Sequence, residues 1–182
     1  LRNNIVILQN TETGEIVQEI NSHGGWIEGA EFSPTADKFI TLAKDGIARM
    51  FDTETGKLLH SNQYGAEFGG QCAFSNDGGI YVLYCLFGMD SQTPIAYDMK
   101  TGKKLFNLKH SSGVNNLSFT EDDQHIISAS LDYTAKIWDR NDVQFPLQSY
   151  SVGSRVASVL HKGTHPNRIF TISLDGNIYV YD

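Results

Sequence analysis

The sequence repeats itself about every 42 residues, which restricts the chain to folds built from stacked copies of one unit. Four aspartates each follow an aromatic residue: Phe51-Asp52, Tyr97-Asp98, Trp138-Asp139 and Tyr181-Asp182. These aspartates stand 46, 41 and 43 residues apart. Asn10-Thr11-Glu12-Thr13-Gly14-Glu15 matches Asp52-Thr53-Glu54-Thr55-Gly56-Lys57, and Asp98-Met99-Lys100-Thr101-Gly102-Lys103 is a third copy. Each copy reads as a tight turn whose glycine is free to take positive φ. Alternating stretches flank the turns, such as Ile5-Val6-Ile7-Leu8 before the first and Ile16-Val17-Gln18-Glu19-Ile20 after it. That is the two-residue period of short strands, and no segment sustains a 3.6-residue period.

A unit of roughly 40–45 residues made of short strands predicts a β-propeller. The fullest copy runs His110-Ser111-Ser112-Gly113-Val114, Leu117-Ser118-Phe119, Ser128-Ala129-Ser130-Leu131-Asp132, then Lys136-Ile137-Trp138-Asp139. In this succession the chain resembles the WD-repeat family, and the weaker copies stay in register over nearly its whole length. The resemblance implies an all-β fold, a propeller with about four repeats present and about seven in the complete ring. The expected division of residues 1–182 is a partial blade at 1–20, blades at 21–62, 63–108 and 109–148, and a blade lacking its outer strand at 149–182. Closure then comes either from more of the same chain or from a partner chain.

The family buries a hydrogen-bonded His, Ser/Thr, Asp and Trp within one blade, and His110, Ser128, Asp132 and Trp138 match that set. An indole N–H only donates, a hydroxyl both donates and accepts, and imidazole can do both. His23, Thr41 and Asp45 repeat the spacing: His to hydroxyl is 18 residues in both copies, and hydroxyl to Asp is four. Phe51 then stands where the tryptophan should be, without a donor. Only one network is complete, so the other blades are expected to rely on apolar packing. Read as a Ser/His/Asp triad the same residues would be catalytic, but they belong to the buried pattern, and a catalytic serine must be open to substrate. No enzyme activity is expected.

Charge and composition close off other classes. With a net charge of −7 and a pI of about 5.3, the chain repels phosphate backbones, which disfavours direct nucleic-acid binding. It has no uninterrupted apolar run of about 18 residues, so no membrane span is expected, and residues 1–4 lack a signal-peptide layout. Cys72 and Cys85 are too few for a secreted disulfide scaffold and read as reduced core residues of an intracellular protein, cytoplasmic or nuclear. No cofactor, metal or small-molecule substrate is expected. His161 and His165 are four apart, but Lys162-Gly163-Thr164 and Pro166 mark a turn. Lys100, Lys103, Lys104 and Lys109 form the one basic cluster, which reads as a solvated outer strand or, alternatively, a contact for an anionic partner.

In the resembled family, one face around the central channel carries the connections between blades and the b–c turns, and partners dock there. Counting six back from Phe32, Phe74 and Phe119 places Trp26, Phe68 and Gly113 on that rim, with Ser154 or Arg155 in the last repeat. Lys44, Leu131 and Leu174, each before a turn aspartate or its equivalent, share the face, and Met89 sits in an enlarged loop at 88–94. Aromatic residues with arginine are the composition of binding hot spots. The alternative reading packs Trp26 and Phe68 against neighbouring blades. The expected role is a scaffold docking other proteins of a multiprotein complex. The alternative is a structural subunit of a ribonucleoprotein assembly.

Overall fold

A computed structural model of the chain describes residues 4–64, 68–87, 93–160 and 169–181, with only the backbone described for Phe68, Leu86 and Phe87. Among the described residues the chain forms seventeen strands and no helix. Strands β1 (Ile5–Gln9) and β2 (Ile16–Asn21) make a two-stranded sheet. Three four-stranded blades follow. The first holds β3 (Ile27–Phe32), β4 (Lys38–Ala43), β5 (Ile47–Asp52) and β6 (Leu58–Gln63). The second holds β7 (Phe68–Phe74), β8 (Ile80–Phe87), β9 (Ile95–Asp98) and β10 (Lys104–Asn107). The third holds β11 (Val114–Phe119), β12 (His125–Ser130), β13 (Thr134–Asp139) and β14 (Gln148–Ser151). A three-stranded sheet ends the series: β15 (Val156–Leu160), β16 (Ile169–Ser173) and β17 (Ile178–Tyr181). Every pairing is antiparallel between strands consecutive in sequence, so each blade is a meander, a to d from the inside outward.

The boundary expected at 148 falls on the first residue of β14. Residues 140–147 make a longer connection than the turns ending in Thr-Gly at 13–14, 55–56 and 101–102, and this pushes the outer strand along the sequence. In those short turns the aspartate caps its own connection: Asp52 Oδ1 accepts from the Thr55 N–H at 2.8 Å, and Asp98 Oδ1 from the Thr101 N–H at 2.7 Å.

The core lies between blades rather than within them. Ile40, Leu42 and Met50 of the first blade meet Cys72, Tyr81, Leu83 and Cys85 of the second. Val82 and Tyr84 of the second meet Leu117, Ile126 and Trp138 of the third. Ile127 and Ala129 of the third meet Val156, Val159 and Ile169 of the last sheet. Successive residues of β8 thus serve opposite interfaces, as the period of two in a strand requires. A b strand covered on both faces is therefore apolar without alternation, which explains the run Phe39-Ile40-Thr41-Leu42-Ala43, buried throughout.

Strand a carries a β-bulge in three of the four blades that show the a–b pair. It falls between Ile27 and Gly29, Val114 and Asn116, and Val156 and Ser158. The second blade runs straight from Phe68↔Phe87 to Phe74↔Tyr81. In the sequence of this blade Phe87 stands where the others have Asp45, Asp132 and Asp175. Cys72 and Cys85 are buried and unbridged.

Candidate functional site

In the third blade the polar set closes into a relay. The Trp138 indole donates to Ser128 Oγ at 2.9 Å, Ser128 Oγ lies 2.7 Å from His110 Nε2, and His110 Nδ1 lies 2.8 Å from Asp132 Oδ2. The indole can only donate, so the serine proton points to Nε2 and the ring proton sits on Nδ1, facing the carboxylate. Asp132 also accepts from the N–H groups of Ser111 and Thr134, both at 3.0 Å. Burial lowers the His110 pKa, though Asp132 pulls it upward. Burial alone would raise Asp132, but its bonds from His110, Thr134 and Ser111 hold it well below the usual carboxylate range. Ser128 is wholly buried and its hydroxyl is engaged on both sides, so the geometry is closed to substrate.

The first blade uses the same residues with a different closure. His23 Nε2 stands 2.7 Å from Thr41 Oγ1, and Phe51 offers no proton. Arg49 supplies one instead: its Nη1 lies 2.5 Å from His23 Nδ1 and 2.7 Å from Asp45 Oδ2. A guanidinium cannot accept, so Nδ1 must, and the ring proton moves to Nε2 and points at Thr41. The relay therefore runs in the opposite sense to that of the third blade. The expectation that this blade leans on packing alone is corrected by Arg49, which the family pattern does not mark. Packing contributes as well, through Phe39 stacked on Phe51 with ring centroids 5.1 Å apart. In the second blade Leu83 takes the hydroxyl position, and the stacked Tyr81–Tyr97 pair at 5.3 Å replaces the network. In the last sheet Thr171 keeps the hydroxyl, fully buried, yet its Oγ1 has no hydrogen-bond partner among the described residues.

These networks set the rim that carries the b–c turns. The Lys44 N–H donates to the Trp26 carbonyl at 2.8 Å, Leu131 to Gly113 at 2.9 Å, and Leu174 to Arg155 at 2.9 Å. The bond makes Trp26, Gly113 and Arg155 equivalent positions and selects Arg155 over Ser154. Gly25 permits the approach, because a Cβ there would stand 2.8 Å from the Asp45 nitrogen. Trp26 is 60% exposed, with Lys44 Nζ 5.3 Å from its ring centre. Lys44 Nζ is also 3.7 Å from Glu28 Oε1, and Glu28 Oε2 accepts from the Gly69 N–H of the next blade at 2.8 Å. Arg155 and Leu174 are exposed, while Gly113 is buried and Leu131 only half-exposed.

What the third blade presents instead is Tyr133, 49% exposed and at φ 68°, where its equivalents are Gly46 and Gly176. A bulky residue in the left-handed region is rare. Its place after Asp132 was visible in the sequence, but its backbone conformation was not. The Phe68 side chain, Met89 and the rest of the loop at 88–92, and His161 and His165 all lie outside the described residues.

Residues 102–139, from the Gly102 turn to the aspartate of the Trp-Asp pair, match the family described as WD domain, G-beta repeat. With the recurring aromatic–Asp pairs and the four-stranded blades, this makes the chain a WD-repeat protein of the β-propeller class. It is similar to WD repeat-containing protein 1 of Mus musculus, 30% identical over 94% of this chain and 28% of that protein. It is also similar to a guanine nucleotide-binding protein subunit beta-like protein of Encephalitozoon cuniculi, 29% identical over 81% of this chain and 44% of that protein. Pre-mRNA-processing factor 17 of Saccharomyces cerevisiae is 24% identical over 92% of this chain and 37% of its own length. The chain thus spans less than half of each of these relatives.

Proposed function

We propose that the chain is part of a protein-interaction scaffold and docks a partner protein on the rim bearing Trp26, Lys44, Tyr133, Arg155 and Leu174. WD repeats in the relatives support the scaffold role. The observation that carries the choice of face is Trp26, an exposed indole fixed at its backbone and roofed by a lysine. Binding energy at protein interfaces concentrates in such aromatic and arginine anchors. Phe68 and Met89 belong to the same proposed face. The setting is intracellular, cytoplasmic or nuclear, where two buried, unbridged cysteines stay reduced. No catalysis is part of this reading.

The test pairs binding with stability in the full-length protein. Trp26→Ala should weaken partner capture by about 2 kcal/mol or more while moving the melting temperature little. Tyr133→Gly should also weaken capture, yet raise stability by about 1 kcal/mol as backbone strain is relieved. If both variants melt earlier and capture every partner at wild-type strength when folded, the face is wrong.

The similarity to a pre-mRNA-processing factor favours a second reading, a structural subunit of a ribonucleoprotein assembly. The net charge of −7 then puts protein, not RNA, against this chain. Salt-dependent RNA binding by the isolated protein would count against that arrangement.

A further inference from the structure

The strands are antiparallel, so the c–d and a–b turns lie on the face opposite to Trp26. There a cleft of about 410 Å³ opens between the first two blades. Its volume lies within the roughly 300–1,000 Å³ of ligand clefts. Leu59 and Met99 give it an apolar surface, and Lys38, His60 and Lys100 stand around it. Its walls are tied together across the blades. Asn62 Nδ2 donates to the Gly102 carbonyl at 2.9 Å, and a Cβ on Gly102 would meet the His60 ring at 2.6 Å. The cleft is thus held by the blade packing and needs no rearrangement to receive a ligand.

The charge around it runs against that of the molecule. The chain carries 21 carboxylates against 14 lysines and arginines. Among the described residues Asp98 is the one carboxylate lining the cleft, and Thr101 holds it through its N–H and hydroxyl. Lys38 is paired with Asp37. Lys100 is exposed, as are Lys103 after the same turn and Lys104 at the start of β10, and these three form no ion pair among the described residues. The basic cluster of the sequence is divided by the fold: Lys109 lies at the opposite rim, where its carbonyl accepts from Lys136 Nζ at 2.7 Å.

We propose that this cleft is a second docking site, taken by an extended acidic segment of a partner protein. An apolar side chain of that segment enters between Leu59 and Met99, and its flanking carboxylates meet Lys100, Lys103 and Lys104. The site is independent of the Trp26 face, so the propeller can join two proteins at once.

The test uses a fluorescein-labelled decapeptide with a central Leu-Phe pair flanked on both sides by Asp and Glu. Its anisotropy is followed with the whole chain. Binding should saturate, weaken with salt, and fall by about tenfold in Lys100→Glu and in Lys104→Glu. Lys44→Glu, on the opposite face, should leave it unchanged. Replacing the Leu-Phe pair of the peptide by Ser-Ser should also weaken it about tenfold. Lys100→Glu and Lys104→Glu alter exposed side chains, so both should keep the wild-type melt.

Several outcomes overturn the proposal. One is no saturable binding, or binding indifferent to Lys100. Another is equal affinity for the Ser-Ser peptide, which leaves only a charged surface. A single-stranded oligodeoxynucleotide that binds as tightly, dependent on Lys100, would make the site one for nucleic acid. Absence of peptide binding with self-association lost in Lys100→Glu, seen by sedimentation, would assign the cleft to a second copy. None of these outcomes bears on the Trp26 face.

Discussion

The indole nitrogen of Trp138 has a single proton to give, and that fact orients every bond behind it as far as Asp132. Trp138→Phe deletes the donor and leaves a buried hydroxyl short of a partner, for an expected loss of about 1–3 kcal/mol. Thr171 shows the complementary case, a buried hydroxyl with its relay missing. Thr171→Val keeps the shape and should stabilise by about 1 kcal/mol. Thermal melts of the two variants should therefore move in opposite directions. The pH dependence follows from the lowered pKa values of His23 and His110. A histidine held below its unfolded value of about 6.5 favours folding fully above that pH and progressively less as pH falls toward the folded value. Asp45 and Asp132 are also depressed, so their share persists until pH drops below about 4. The melting temperature should hold near neutrality, decline below about pH 6.5 and drop further in acid. The double variant His23→Gln, His110→Gln should flatten the first decline, and a wild-type melt unchanged between about pH 7 and 5 would contradict the assignment. The sequence showed His110, Ser128, Asp132 and Trp138 because strand pairing fixes their spacing. It did not show Arg49, since a long side chain reaching back along β5 leaves no periodic trace.

Among elements, the second blade departs furthest from its neighbours: its a–b pair has no bulge, and among the described residues it holds no buried histidine. It relies on close contact instead. Tyr64 is buried at the entrance to this blade, its hydroxyl donating to the Ala43 carbonyl at 2.9 Å, and its ring lies against Gly70. A Cβ at Gly70 would stand 2.5 Å from Tyr64 Cε2 and 2.7 Å from Cζ. Gly70→Ala should cost about 1–3 kcal/mol through overpacking. The cost should shrink when Tyr64 is replaced by Ala, and additive losses in denaturant melts of the single and double variants would rule the contact out. The elements themselves were legible in the sequence, strand after strand, because their apolar residues alternate or run together as position in a blade demands. Tyr133 was not, because a left-handed backbone at a residue other than glycine or asparagine is dictated by the loop around it. The longer connection at 140–147 also escaped, with Phe145 73% exposed at its tip.

Across the molecule the blades are joined by a thin set of polar ties laid over the apolar interfaces. Repeat proteins behave as chains of units whose stability is the unit's own plus that of its junctions. The second blade has no histidine relay of its own among the described residues, and several ties of the second kind hold it. Glu28 and Asn62 of the first blade bind its Gly69 N–H and Gly102 carbonyl, and its Tyr81 hydroxyl donates to Asn62 Oδ1 at 2.6 Å. On its other side Asp123, buried in the a–b turn of the third blade, accepts from the N–H groups of Asn76 at 2.9 Å and Asp77 at 2.7 Å. Arg140 adds a bond to Asp77 at 2.8 Å. No spacing rule could have shown this clamp, which joins residues 46 and 47 apart in sequence.

The clamp's consequence lies in cooperativity. A unit stabilised mainly by its junctions cannot open alone, and it transmits any loosening. Asp123→Ala alters the third blade only, yet amide hydrogen exchange should quicken throughout β8 and β9 of the second, as if the two blades shared one opening event. Exchange that changes only around residues 76–78 would mean that the blades open one by one. Shared opening would make the second blade the coupler of the array, the place where a partner seated on one blade could be felt by the next.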